Sequence, residues 1–155
     1  MMMLREVVTK STVGDLPLAT APCLAPEATV ASAVQAMRKA KVGSVLVTEG
    51  GRLVGILTER DVLRMVAEGT PLSVLLEGAM TRTVKSVQSE DSLLSVLQLM
   101  DAGGYRRLPV IDATGKPLGT ISTKSVVHFL VEHFPQGVYN QTSQLLQTSR
   151  DREGA

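Results

Sequence analysis

A heptapeptide that occurs twice, and is altered the second time, constrains this chain more than any other feature. Residues 55–61 read Gly-Ile-Leu-Thr-Glu-Arg-Asp and residues 119–125 read Gly-Thr-Ile-Ser-Thr-Lys-Ser. The second is a copy of the first with its carboxylate replaced by a hydroxyl. A copied segment implies a fold built from two related halves. The lost charge implies that the halves do not share one chemistry.

The copy extends in both directions. Val30, Ala33, Val34 and Met37 stand at i, i+3, i+4 and i+7, the apolar face of a helix. Sixty-three residues later Leu93, Val96, Leu97 and Met100 repeat the pattern. Thr29 and Ser92 precede the two runs as N-cap hydroxyls. Ser44–Thr48 matches Arg107–Ile111 as an apolar strand, and a turn follows each. The first turn is Glu49-Gly50-Gly51-Arg52; the second, Asp112 to Lys116, is one residue longer. Each reads as a β-hairpin leading into Leu53–Leu57 or Leu118–Ile121. Helices follow, Glu59–Glu68 stopped by Gly69 and Thr123–Phe134 stopped by Pro135. Short strands are expected before the first helix of each half, at Cys23–Leu24 and Val84–Val87. Each half then runs β-α-β-β-α.

The expected division is a first repeat over 13–69, a linker over 70–78 that can hold a short helix, and a second repeat over 79–134. Val13–Pro17 and Leu76–Met80 lead into the two repeats at matching positions. Two half-cores of this size are marginal alone, so they are expected to pack face to face. From Asn140 onward the residues are mostly Gln, Ser, Thr, Arg, Asp and Gly, the composition of a disordered tail over 140–155.

Composition narrows the function classes. Of the 155 residues 44% are hydrophobic and only 3% aromatic, so the core is aliphatic and base-stacking platforms are not expected. A net charge of +1 gives no general attraction to nucleic acid or anionic membrane. The one cysteine, Cys23, excludes an internal disulfide and paired-cysteine metal spacing. It has no nearby acid or histidine to activate it and is expected to be a buried structural thiol. His128 and His133 lie about 140° apart around a helix and make no ligand pair. There is no signal-peptide pattern and no apolar run of membrane-spanning length, which gives a cytoplasmic expectation. No nucleophile triad or phosphate-binding glycine loop is present, so no enzyme activity and no metal site are expected.

Thr58 and Asp61 form the sharpest pair. A hydroxyl N-cap with an acid three residues on is a capping box. The same carboxylate is also an acceptor for the two donors of a ribose diol. One oxygen can cap while the other faces a ligand, so the readings are compatible. Arg106 and Arg107 stand at the start of a strand expected to be central to the second half, where alternation would send them to opposite faces. Lys124 opens the last helix, where a cation opposes the helix dipole unless an anion such as phosphate compensates it.

Taken together, the duplicated order and the segments "GRLVGILTERDVL", "YRRLPVID" and "GKPLGTISTKSVV" resemble a tandem pair of cystathionine-beta-synthase (CBS) domains, a Bateman module. The resemblance spans residues 13 to 134. It implies an α+β fold of two β-α-β-β-α repeats, related by pseudo-two-fold symmetry and packed through their sheets. It also implies an adenosine-containing ligand in a cleft between the repeats: AMP, ADP, ATP or S-adenosylmethionine. Gly55, Thr58 and Asp61 match the family's ribose motif, and Ile56 and Leu57 would line the adenine pocket. Arg106, Arg107 and Lys124 match phosphate-binding positions, and Lys85, on the first strand of the second repeat, matches a base contact. Ser125 replaces the second ribose acid, so the second cleft is expected to bind weakly or not at all. Gly43 stands where some members carry a further phosphate-binding arginine. The resemblance further implies a homodimer and a regulatory role exerted on a separate effector protein. The alternatives are a ligand-free dimerisation module and an S-adenosylmethionine binder.

Overall fold

In a computed structural model describing residues 4–133, Thr29 and Ser92 each accept from a backbone N–H three residues on, starting the two long helices as their hydroxyls predict. The helices are α2 (Val30–Ala40) and α5 (Leu93–Gly103). Around them the order is α1 (Leu4–Lys10), a 3-10 turn (Val13–Asp15), β1 (Cys23–Leu24), α2, β2 (Ser44–Glu49), β3 (Arg52–Thr58) and α3 (Glu59–Glu68). Then come α4 (Leu76–Ala79), β4 (Val87–Gln88), α5, β5 (Arg107–Ile111), β6 (Pro117–Ser122) and α6 (Thr123–Glu132). The fold is α+β and each half runs β-α-β-β-α. One sheet has the order β1-β2-β3 and the other β4-β5-β6. The first two strands of each sheet are parallel, joined by a helical crossover, and β2 and β3 form an antiparallel hairpin.

Glycine closes the first hairpin. Gly50 and Gly51 have φ of 60° and 80°, the left-handed pair that a two-residue turn between right-twisted strands requires. Gly69, with φ 74°, ends α3 as the sequence predicts. A bulge lies where Val47 faces Gly55 and Thr48 faces Leu53, leaving Val54 as the extra residue.

By contacts the chain divides into two compact units. Among the described residues one comprises 4–17, Glu90–Arg107 and 121–133; the other comprises Leu18–Ser89 and Leu108–Thr120. These spatial units partition the chain differently from the two sequence halves. In the second unit α2 supplies Val30, Ala33 and Met37 to an aliphatic core with Val45, Val47, Leu57, Met65 and Leu76. Burying each of the Val, Leu and Met side chains contributes about 1.5–3 kcal/mol. In the first unit α1 packs on α5, and Val7, Val8, Val13, Leu93, Val96, Met100, Val126 and Phe129 are buried.

The lead-in segments are exchanged between the halves. Thr12 bridges Ser92, the cap of α5: Val13 N–H donates to Asp91 at 2.9 Å and Leu93 N–H to Ser11 at 2.9 Å. At the matching place Leu75 bridges Thr29, the cap of α2, with Val30 N–H donating to Val74 and Leu76 N–H to Ala28. Further on, Ala19 bridges Thr120 and Thr81 bridges Ile56. Each lead-in thus satisfies backbone groups at the start of the other half's helix.

Three of these expectations need correction, one helix was not expected, and part of a further expectation lies beyond the described residues. The helix α1 carries no pattern singled out in the sequence; it is held by packing on α5. The strand expected at Val84–Val87 forms at Val87–Gln88, because β5 offers parallel partners only to those two residues, at Val110 and Ile111, while Val84 N–H turns back onto Arg82. Arg106 lies in the bend before β5, so strand alternation does not apply to the pair Arg106–Arg107. Cys23 is exposed: β1 is a two-residue strand at the sheet edge and its outer face is uncovered. The partial desolvation that Cys23 does feel pushes its thiol pKa up. The helix expected over Thr123–Phe134 ends at Glu132, while Phe134, Pro135 and the 140–155 tail lie outside the described residues. The short helix expected within 70–78 forms at Leu76–Ala79.

Candidate functional site: the charged and the neutral cap

Thr58 ends β3 in extended conformation, and Asp61 lies one turn into α3. The Thr58 backbone N–H donates to Asp61 Oδ2 at 2.9 Å, and the Thr58 hydroxyl donates to the same oxygen at 3.0 Å. In return Asp61 N–H donates to Thr58 Oγ1 at 3.4 Å. The capping box is therefore complete on one carboxylate oxygen. Among the described residues the other, Oδ1, receives one hydrogen bond, from Arg64 Nη2 at 3.3 Å. Asp61 is buried, its side chain 12% exposed, whereas Arg64 is 58% exposed.

The second copy has the same geometry without the charge. Ser122 N–H donates to Ser125 Oγ at 3.0 Å, and Ser125 N–H donates to Ser122 Oγ at 3.1 Å. The Ser125 hydroxyl gives its own proton to the Ser122 carbonyl at 2.8 Å. A hydroxyl thus suffices to start this helix. A third box stands at the 3-10 turn, where Thr12 N–H donates to Asp15 Oδ2 at 2.8 Å. Thr-x-x-Asp spacing made that box legible, although it was not singled out.

The remaining candidates are distributed as follows. Ile56 is half-buried, and its backbone exchanges hydrogen bonds with Thr81 at 3.1 and 2.9 Å. Leu57 is fully buried, its side chain committed to the aliphatic core. Lys85 is exposed and precedes β4, a correction to its expected place on that strand. Arg107 is exposed at the start of β5, and Lys124 is exposed at the second position of α6. Arg106 is exposed too, and its carbonyl accepts from Thr123 N–H at 3.0 Å, tying the bend that carries it to the start of α6. Gly43 faces the Glu59 carboxylate, and a Cβ there would lie 3.1 Å from Glu59 Cδ. Glu59 therefore crowds the position where an arginine was considered.

The glycines that open the two copies are explained by close approach. A Cβ at Gly55 would collide with the Met80 side chain, and one at Gly119 would lie 2.8 Å from the Ala19 carbonyl oxygen. These are the exchanged lead-in segments passing over β3 and β6. His128 pairs with Glu132 at 3.0 Å, and His133 stacks on Phe129. Among the described residues no group of three metal-ligating side chains comes together, and no helix is long and apolar enough to cross a membrane.

The CBS domain family profile matches this chain twice, over residues 13–68 and 76–132. The chain belongs to the CBS domain family. A CBS domain-containing protein of Bacillus subtilis, YhcV, is 33% identical over 103 residues, covering 66% of this chain and 74% of that protein. A 17.7 kDa protein encoded in the bps2 3' region of Acidianus ambivalens is 32% identical over 108 residues, or 69% of this chain. The match spans less than two thirds of that relative's own length, 65%. Among solved structures, that of CBSX2 in complex with AMP is similar, with 25% identity and a TM-score of 0.70 over 79% of this chain and 97% of that one. The CBS assignment accounts for the β-α-β-β-α order, and the two matched stretches contain the charged and the neutral cap respectively.

The arginine that reaches Asp61 Oδ1 was missed in the sequence. Its signal was present: an acid and a base at i and i+3 on one helix.

Proposed function

We propose that this CBS-domain pair is a regulatory protein that binds an adenosine-containing ligand, with Asp61 as the acceptor for the ribose hydroxyls. The observation that carries this reading is the contrast between the caps. Ser122 and Ser125 start a helix with no carboxylate, so the charge on Asp61 exceeds what capping needs. Among the described residues its Oδ1 is held only by a largely exposed arginine. A ribose hydroxyl donating to that oxygen makes a charge-assisted hydrogen bond. The similarity to an AMP-bound CBS structure supports an adenine nucleotide, AMP, ADP or ATP, as the ligand.

In this reading the family resemblance assigns the other roles. Ile56 and Leu57 belong to the strand beside the base, with Lys85 as a further base contact. Arg106, Arg107 and Lys124 are the cations for the phosphates, and the Arg106 bend and the α6 start are joined by a backbone hydrogen bond. Binding biases the packing of the protein, and a separate effector reads the change. The protein acts as a homodimer; Leu63 and Val66, 70% and 60% exposed on α3, are apolar side chains available to such a contact.

Titration calorimetry of the full chain with AMP, ADP, ATP and S-adenosylmethionine tests the reading. The decisive variant is Asp61→Ser, which copies the neutral cap. It is expected to fold normally and to bind at least about tenfold more weakly, the loss of one charged hydrogen bond. Unchanged affinity overturns the ribose assignment. One observation favours a second reading, a ligand-free interaction module: the Thr12–Asp15 box shows that this chain also places an acid in such a motif at a 3-10 turn. Absence of heat with all four ligands selects it.

A further inference from the structure

We infer that Arg64 is a releasable latch on Asp61, competing with the ligand for Oδ1 and moving to Glu68 when the ligand displaces it. The inference rests on the reading of Asp61 as the ribose acceptor. Oδ2 is already engaged by two donors of the Thr58 cap, so Oδ1 is the oxygen left for a ligand hydroxyl. Arg64 Nη2 holds it at 3.3 Å, long for a charge-assisted bond, from a side chain that is 58% exposed. An exposed arm on a partly desolvated carboxylate is displaceable at small cost.

A landing place lies on the same helix face. Residues three before and four after Arg64 are both its neighbours on the surface of α3, and these are Asp61 and Glu68. Glu68 is exposed at the last turn of α3, where the helix dipole disfavours an unpaired carboxylate. The other half displays the moved arrangement. There the residue matching Arg64 is His128, the residue matching Glu68 is Glu132, and the two pair at 3.0 Å. With Ser125 in place of the acid, His128 has no carboxylate one turn back and pairs forward. Acid before base at i, i+3 is the better order for the helix dipole, which explains why Arg64 rests on Asp61 in the free protein.

The latch opposes binding, so its removal is expected to tighten it. Calorimetry of the full chain with AMP is expected to show Arg64→Ala and Arg64→Gln binding about two- to fivefold more tightly than the unmodified protein, the range of an exposed ion pair. Glu68→Gln removes the landing place and is expected to weaken binding by up to about twofold, but only while Arg64 is present. The gain from Arg64→Gln is expected to shrink as salt rises. Unchanged affinity in both Arg64 variants overturns the latch, and weaker affinity shows that Arg64 instead supports the ligand. Asp61→Ser separates this failure from failure of the ribose reading. If that variant binds as well as the unmodified protein, or if AMP does not bind at all, the reading and the latch fall together. If Asp61→Ser loses binding while the Arg64 variants gain none, the latch alone falls.

Discussion

At Asp61 the two carboxylate oxygens have different partners, the Thr58 cap on Oδ2 and Arg64 on Oδ1. Ser125 shows the same cap with one oxygen fewer to offer, because its single Oγ already accepts from the Ser122 N–H while its proton goes to the Ser122 carbonyl. The pair makes a natural substitution experiment inside one chain. Asp112 puts a carboxylate to a purely local use. Its Oδ1 accepts from the Thr114 hydroxyl at 2.6 Å, the Lys116 N–H at 3.0 Å and the Thr114 N–H at 2.8 Å. The Thr114 hydroxyl bond first, then the Lys116 backbone bond, hold its carboxyl below the ordinary aspartate value. A lowered folded value means that the contribution is present at neutral pH and is lost as pH falls through the folded value. Amide resonances of Thr114 and Lys116 are therefore expected to shift together at a pH below the ordinary aspartate range. A midpoint at or above that range overturns this account of the turn.

At the scale of elements, most boundaries follow from local chemistry, and the clearest is the hairpin of β2 and β3. Gly51, with φ 80° and nothing near an added Cβ, tests backbone strain without any clash. Gly51→Ala is expected to cost about 1–2 kcal/mol, the left-handed penalty of an L residue. For a chain of this size the melting temperature falls by about 2–8 °C. Gly78 in α4 also has open space but no positive φ, so Gly78→Ala is expected to be neutral or mildly stabilising. Thermal melts of the two variants separate strain from side-chain size. Gly55 and Gly119 belong to another class, since their neighbours are Met80 and the Leu18–Ala19 segment. Those contacts come from distant parts of the chain, and neither motif copy announces them.

For the whole molecule, the exchanged lead-ins set the architecture. Thr12 on Ser92 and Leu75 on Thr29 place each half's first turn at the start of the other half's helix. The sequence halves are therefore not the compact units. A ligand that binds only the folded chain stabilises it by mass action, about 2.7 kcal/mol at a hundredfold excess over Kd. AMP at that excess is expected to raise the melting temperature by about 5–10 °C in the unmodified protein. It should raise it much less in Asp61→Ser at the same concentration. Equal shifts in both proteins would remove Asp61 from the binding reaction.

Features governed by local forces were legible in adjacent residues. The β-α-β-β-α order, the caps at Thr29, Ser92 and Thr58, the stop at Gly69 and the Gly50-Gly51 turn follow from hydroxyls, periodicity and positive φ within a few residues. The Thr58–Asp61 pair was legible as a cap for the same reason. Where segments distant in sequence meet was fixed by the folded chain. It shortened the strand at Val87–Gln88 to the length of its partner, exposed Cys23 on an edge, and added α1 by packing it on α5. It also set Arg64 on Asp61, which spacing allows but does not compel, because an exposed arginine chooses among carboxylates by geometry. Local hydrogen bonds are written in adjacent residues, whereas packing partners and competing ion pairs are settled only when the chain has closed on itself.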